Sequence, residues 1–266
     1  MTRRTLASPA HLDGIGLHTG TPVEVTIHPS DQGIAFRLGG DRVVAAPENV
    51  TDTTRCTRLG GIGTIEHLMS AFAGLEITDA EVELTSPELP GLDGSAKLFV
   101  EALTCAGLID IGGQTVPDLY RRLFIQDDHY EIAIARGAGH WRYDFLTGDR
   151  WPGSQGFELT EIVEGYKEHV APARTFAFVE ELPMIMKYGL GKGLDKDSAL
   201  ILGESDYENP ARFADEPARH KLLDLIGDLY LAGVPIRALN VVSAKSGHTA
   251  NVKAAAMLRQ AIQPTE

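Results

Sequence analysis

Three short segments hold residue types from which a hydrolytic centre could be assembled. In the first, His220, Asp224 and Asp228 follow one another at four-residue spacing. On an α-helix that spacing places them within roughly 80° of arc, with Lys221 at its edge. Leu222, Leu225, Ile226 and Leu229 take the opposite face. A His and an Asp one turn apart can reach a common metal ion. Taken alone, the spacing suits an ordinary amphipathic helix with a solvated polar stripe better. The second segment is Thr64-Ile65-Glu66-His67. Zinc hydrolases use such a Glu–His pair, one side chain holding metal and the neighbouring carboxylate taking a proton from water. A solvent-facing Glu beside a structural His fits these two residues equally well. The third segment, Lys245-Ser246-Gly247-His248, sets a His on a Gly/Ser loop beside a Lys, a place for an acid/base residue or an anion contact. Together the segments offer His67, His220 and Asp224 as ligands, a carboxylate and a free His. That inventory suits metal-assisted hydrolysis with one open coordination position. Nitrogen and oxygen donors without thiolate point to Zn²⁺, with Fe²⁺ or Co²⁺ as substitutes.

The elements around these segments repeat. Val23 to Ile27 alternates as a strand, with Ile34 to Leu38 as its expected hairpin partner. Thr64 is the expected N-cap of a helix ended by Gly74, with Glu66 in the first turn. A strand, Ala80 to Leu84, a Pro/Gly loop and a helix, Ser95 to Ala106, follow. The second half repeats that order. A helix capped by Asp215, with Pro217 in its first turn, runs to Ala232. A strand, Ile236 to Ser243, and a helix, Thr249 to Ile262, complete it. The pattern predicts two similar α+β domains, residues 1–113 and 118–266, each a sheet with helices on one face. Gly112, Gly113 and Pro117 mark the break, and Gly148 to Gly156 is expected as a long loop or inserted excursion.

Composition narrows the class. Lys and Arg number 24 against 37 Asp and Glu, a net charge of −13 that disfavours general nucleic-acid binding. Cys56 and Cys105, in no C-x-x-C pair, are read as reduced thiols. No apolar run approaches a membrane span or follows Arg3-Arg4 as a signal peptide, so a cytoplasmic protein is expected. His11, His28, His129, His140 and His169 are read as surface or structural residues, and His18 as a packing or ligand-supporting one.

Over nearly its whole length the chain resembles the UDP-3-O-acyl-N-acetylglucosamine deacetylases of lipid A synthesis. The resemblance rests on Gly14-Ile15-Gly16-Leu17-His18-Thr19-Gly20, Thr64 to Leu68, Pro87-Glu88-Leu89-Pro90, Leu92-Asp93-Gly94-Ser95, Arg174-Thr175-Phe176, Arg219 to Asp224 and Lys245 to His248, all in family order. It implies one zinc per chain on His67, His220 and Asp224, and a monomer acting on an acylated UDP-sugar. It implies Glu66 as general base, His248, oriented by Asp228, as general acid or as a protonated electrostatic partner for the departing amine, and Thr175 and Lys221 at the oxyanion. Phe176 would line the acyl channel and Lys245 would contact the phosphates. The implied fold stacks the two α+β domains as a β-α-α-β sandwich with the site between them.

The chain departs from the family pattern at Gly193-Leu194-Asp195-Lys196-Asp197, where small neutral residues are usual, and around Trp151. Leu194 is therefore a candidate acyl-channel residue. These departures keep two other readings open: a zinc deacetylase of another N-acetylated sugar nucleotide, and a metal-binding homologue without catalysis. An intact Glu66 and His248 argue against the latter.

Overall fold

The computed structural model describes residues 2–113, 119 and 121–262. The first half contains β1 (Thr2–Leu6), β2 (Ala10–Ile15), β3 (Pro22–Pro29), β4 (Ile34–Leu38), β5 (Asp41–Val44), β6 (Val50–Asp52), β7 (Arg58–Leu59), α1 (Glu66–Gly74), β8 (Ala80–Leu84), α2 (Lys97–Cys105) and β9 (Leu108–Gly113). The second contains β10 (Leu123–Gln126), β11 (Glu131–Arg136), β12 (Trp141–Leu146), β13 (Ser154–Leu159), α3 (Ile162–His169), β14 (Phe176–Phe178), α4 (Leu182–Lys187), β15 (Leu200–Leu202), α5 (Glu216–Tyr230), β16 (Leu239–Ala244) and α6 (His248–Ala261).

Two five-stranded sheets share one topology. Their orders are β2-β3-β8-β4-β5 and β10-β11-β16-β12-β13. In each, the strand after the central helix enters the middle, antiparallel to one neighbour and parallel to the other: β8 between β3 and β4, β16 between β11 and β12. The duplication read from the element order is thus a repeat of strand order as well. Alternation drives the layering. Val23, Val25 and Ile27 of β3, and Trp141, Tyr143 and Phe145 of β12, turn inward and are buried. The helices lie between the sheets, with α1 against α5 and α5 also against β12 and β13. This is the β-α-α-β sandwich expected.

Several local expectations are corrected. The segment Ile34–Leu38 does not pair with Val23–Ile27, because β8 lies between them. Residues 30–33 can span about 13 Å, enough to cross one strand at ~4.8 Å per step. The Asp79 carboxylate just before β8 accepts a hydrogen bond from Gly33 N at 2.7 Å and pins that crossing. Thr64 is not an N-cap. Its φ is 61°, and α1 starts only at Glu66 with no side-chain cap. Asp215 does not cap α5 with its side chain, which instead meets Arg219 Nε at 2.6 Å. The first three residues of the expected strand 236–243 form a 3₁₀ turn. Gly148 to Gly156 is loop only in part: residues 147–153 connect β12 to β13, which pair as a hairpin closed at Leu146 and Ser154, and residues 154–156 belong to β13. The expected domain break runs into residues 114–118, which lie outside the described residues; before it, β9 pairs with β1.

Candidate active site

The polar stripe of α5 is buried. His220, Asp224 and Asp228 are 3%, 2% and 0% exposed, so the solvated-stripe alternative fails. The stripe cannot reach water because α1 lies across it. Gly227 permits that approach: a Cβ there would sit 2.0 Å from the carbonyl oxygen of Glu66 and 3.1 Å from Ser70 N. With the two backbones this close, Glu66 and His67 of α1 open onto the same space as α5, and both are buried.

His67, His220 and Asp224 present ligand atoms all within 4.8 Å of one another. Asp224 Oδ1 lies 3.7 Å from His67 Nε2 and 3.5 Å from His220 Nε2. The His220 Nδ1–H donates to the Ala173 carbonyl at 3.1 Å, leaving the Nε2 lone pair facing Asp224. Burial, with His220 adding to it, pushes His67 down to about 3, and burial lowers His220 as well. Both rings are therefore neutral near pH 7. Burial works against the Asp224 carboxylate. The Lys221 ammonium, 2.8 Å from Oδ2, outweighs it and keeps the group ionised. Asp224 Oδ1 is buried and has no hydrogen-bond partner. A lone anionic oxygen between two neutral imidazoles is costly unless a cation completes it. The donor set fits a divalent metal.

Beside this group stands a second assembly. His248, the first residue of α6, directs Nδ1 to Asp228 Oδ2 at 2.9 Å, and its Nε2 lies 3.9 Å from Glu66 Oε1. Asp228 also accepts from Asn251 Nδ2 at 3.0 Å and from the Thr57 hydroxyl at 2.5 Å. The Thr57 backbone N–H donates to Glu66 Oε2 at 2.9 Å, so one buried threonine holds both carboxylates. Burial, with Asp228 and Asp224 adding to it, raises Glu66 to about 7. Burial pulls His248 down, but Asp228, Glu66 and Asp224 overcome it and raise the imidazolium to about 9.

Glu66, His67, His220, Asp224 and His248 form part of the lining of a cavity of about 290 Å³ that also takes in His18, Arg55, Thr175, Phe176, Glu181, Lys221 and Leu194. Arg174 anchors the Thr175 side. It is buried, bonded through Nε to Glu216 Oε1 at 2.9 Å and through its other nitrogens to the carbonyls of Asp197 and Pro210. Thr175 N then donates to Gly94 O at 2.7 Å. Gly94 has a φ of 75°, and a Cβ there would lie 1.7 Å from the Ser198 carbonyl oxygen, so only glycine fits. Leu194 lines the wall. Asp195 folds back on its own turn, accepting from Asp197 N at 2.9 Å and Ser198 N at 2.8 Å. Lys245 is not brought to the cavity; it is exposed at the end of β16. Of the other histidines, His18 lines the cavity with Nδ1 buried and unpartnered.

Sequence reasoning missed Thr57, Asn251 and the roles of Glu88 and α4. Glu88 collects His18 N, Thr19 N, Thr19 Oγ1 and Thr64 Oγ1 at 2.6–3.1 Å, which ties the Gly14–Gly20 loop to the start of α1. Thr57 has no periodic relation to Glu66, and nothing in the string marks it. The apolar run Leu182-Pro183-Met184-Ile185 is visible in the sequence and signals the wall that Ile185, Leu190 and Leu194 build.

Residues 3–260 match the model of the LpxC family, described as UDP-3-O-acyl N-acetylglycosamine deacetylase. A UDP-3-O-acyl-N-acetylglucosamine deacetylase of a Nostoc species is 35% identical over 279 residues, covering 96% of this chain and 97% of the relative. A deacetylase of the same name from Neisseria gonorrhoeae is 35% identical over 281 residues, covering 94% and 88%. One from Myxococcus xanthus is 35% identical over 265 residues, covering 94% and 84%.

Proposed function

The chain belongs to the UDP-3-O-acyl N-acetylglycosamine deacetylase family, and from that premise we propose that it is a zinc-dependent amidohydrolase removing the N-acetyl group of UDP-3-O-acyl-N-acetylglucosamine for lipid A synthesis. The observation that carries the reading is the buried, unpartnered Asp224 Oδ1 facing two neutral imidazoles beside a Glu66–His248 pair. His67, His220 and Asp224 would hold one Zn²⁺, with Fe²⁺ as a substitute. When bound, the ion supplies Lewis-acid charge that makes a water acidic and polarises the acetyl carbonyl.

The protein's residues do the rest. Glu66 takes the proton from the attacking water, and its value of about 7 suits a base working near neutrality. As the oxygen adds, charge gathers on the former carbonyl oxygen, which Lys221 and Thr175 steady. His248 is held protonated by Asp228 and gives its proton to the departing nitrogen. The C–N bond breaks to leave acetate and a free amine. Phe176 and Leu194 border the acyl chain. Lys245 stands outside the cavity, where it can meet only a projecting part of the substrate, and the phosphates are that part. We assign residues 1–113 and 118–266 as the two domains. The two free cysteines suit a reducing compartment, and we place the enzyme in the cytoplasm. Among the described residues no helix is long and apolar enough to cross a membrane.

The test is acetate release from UDP-3-O-acyl-N-acetylglucosamine and from non-acylated UDP-N-acetylglucosamine, before and after chelation. Turnover of the acylated compound that chelation abolishes and Zn²⁺ restores is expected. Equal turnover of the non-acylated compound would favour another N-acetylated sugar nucleotide as substrate. Metal-loaded protein with no turnover would overturn the reading in favour of a non-catalytic homologue.

A further inference from the structure

From Leu182 to Leu194 the chain reads LPMIMKYGLGKGL. This stretch carries no carboxylate, although the whole protein has a net charge of −13. Its only charges are Lys187 and Lys192, neither of which is in an ion pair among the described residues. Met184, Met186 and Tyr188 stand 50%, 76% and 65% exposed, and Met186 and Tyr188 are the two most exposed large apolar residues described. Ile185, Leu190 and Leu194 of the same stretch face the other way and line the cavity. The segment therefore has one apolar side on the cavity and another in water.

We infer that α4 and the turn after it form a docking surface for an anionic lipid bilayer. Met184, Met186 and Tyr188 would enter the headgroup region, and Lys187 and Lys192 would meet the lipid charges. Exposed methionine and tyrosine flanked by lysine suit an interface that is apolar at one depth and charged just above it. The stretch itself carries only the two lysines as charges; of the carboxylates that flank it, Glu180 and Glu181 are paired with Arg150 and Asp195 accepts hydrogen bonds within its own turn, which leaves the lysines to meet an anionic surface. Because Ile185, Leu190 and Leu194 on the other side of the same segment line the cavity, a bilayer at α4 would lie next to the cavity wall. The docking surface stands without the proposed reaction; only its use in loading an acylated substrate rests on that reading.

The full chain is mixed with phosphatidylcholine vesicles, with and without phosphatidylglycerol, and floated through a gradient. Binding to the phosphatidylglycerol vesicles is expected, weakening with salt and at least ~tenfold poorer on phosphatidylcholine alone. Lys187→Gln with Lys192→Gln should weaken binding roughly thirtyfold, from two lysine contacts. Met186→Asn with Tyr188→Asn should weaken it at least ~tenfold. Deacetylation of a short-acyl, fully dissolved substrate should stay at the parent rate in the Met186/Tyr188 variant, so that vesicle binding and the reaction are read separately. As a second measurement, Tyr188→Trp should add blue-shifted emission on vesicle addition that brominated lipid quenches. No vesicle binding, binding unchanged in both double variants, or unquenched emission would overturn the inference. So would a dimer in sedimentation that the Met186/Tyr188 variant dissolves.

Discussion

Asp228→Asn tests the coupling that makes His248 an acid. The substitution keeps the size of the side chain and an oxygen for the Thr57 hydroxyl. It removes the charge, which after burial is the largest influence on His248. His248 stands at about 9 against an ordinary value of 6.5. That difference corresponds to about 3 kcal/mol in favour of the imidazolium. With Asp228 neutral, burial persists against Glu66 and Asp224 alone, and the ring should fall towards its ordinary 6.5. At about pH 8 the protonated fraction then falls from roughly nine tenths to roughly three hundredths, a loss of about thirtyfold, whereas near pH 6 it hardly changes. The alkaline limb of kcat/KM should therefore move down by about 2.5 pH units, and the acid limb should move down by less, because Asp228 is only a secondary cause of the raised Glu66. Stability should follow the same sign. A histidine whose folded value is raised stabilises fully below its unfolded value of about 6.5, and this is lost as pH rises through about 9. The stability gap between parent and variant should thus be widest below about pH 6.5 and narrow towards pH 9. The assays are pH profiles on a dissolved substrate and denaturant unfolding at both ends of that range. An alkaline limb at the same pH in both proteins would refute the assignment of His248 as an acid charged by Asp228.

Asp224→Ala should lower bound zinc from about one per chain to a small fraction by elemental analysis; a retained full equivalent would remove the ligand assignment. Glu66→Gln should keep its metal and lose roughly 10²–10⁴-fold in kcat, a loss that normal turnover would contradict. Gly227→Ala places a Cβ 2.0 Å from the Glu66 carbonyl oxygen. It should cost about 1–3 kcal/mol in unfolding free energy and depress turnover by separating α1 from α5; parental stability would show the approach to be dispensable. Leu194→Gly widens the cavity wall, so kcat/KM across a series of acyl lengths should tilt towards longer chains, whereas parallel profiles would place Leu194 outside the acyl path.

The parts of the site carried by short-range pattern were readable in the string. Four-residue spacing put His220, Asp224 and Asp228 on one face, and that face is where the structure holds them. What spacing could not decide was whether the face meets water. A helix with leucines on one side and carboxylates on the other looks amphipathic whether the polar side is solvated or pressed against a second helix, and the deciding residue is Gly227, whose need for a missing Cβ shows only once α1 is in place. The same limit explains the misplaced hairpin. Val23–Ile27 and Ile34–Leu38 are near in sequence, but the slot between them is claimed by a strand that arrives some forty residues later with Asp79 at its head. Thr57 was illegible for the reason that makes it informative. Its backbone reaches Glu66 nine positions on and its hydroxyl reaches Asp228 in the other half, 171 positions away. A residue of that kind is specified by the assembled site, and no periodicity reports it. It follows that the two carboxylates are not independent. Any change that shifts Thr57 moves the base and the partner of the acid together, so base and acid stay in register only while α1, α5 and α6 remain packed around that one buried hydroxyl and amide.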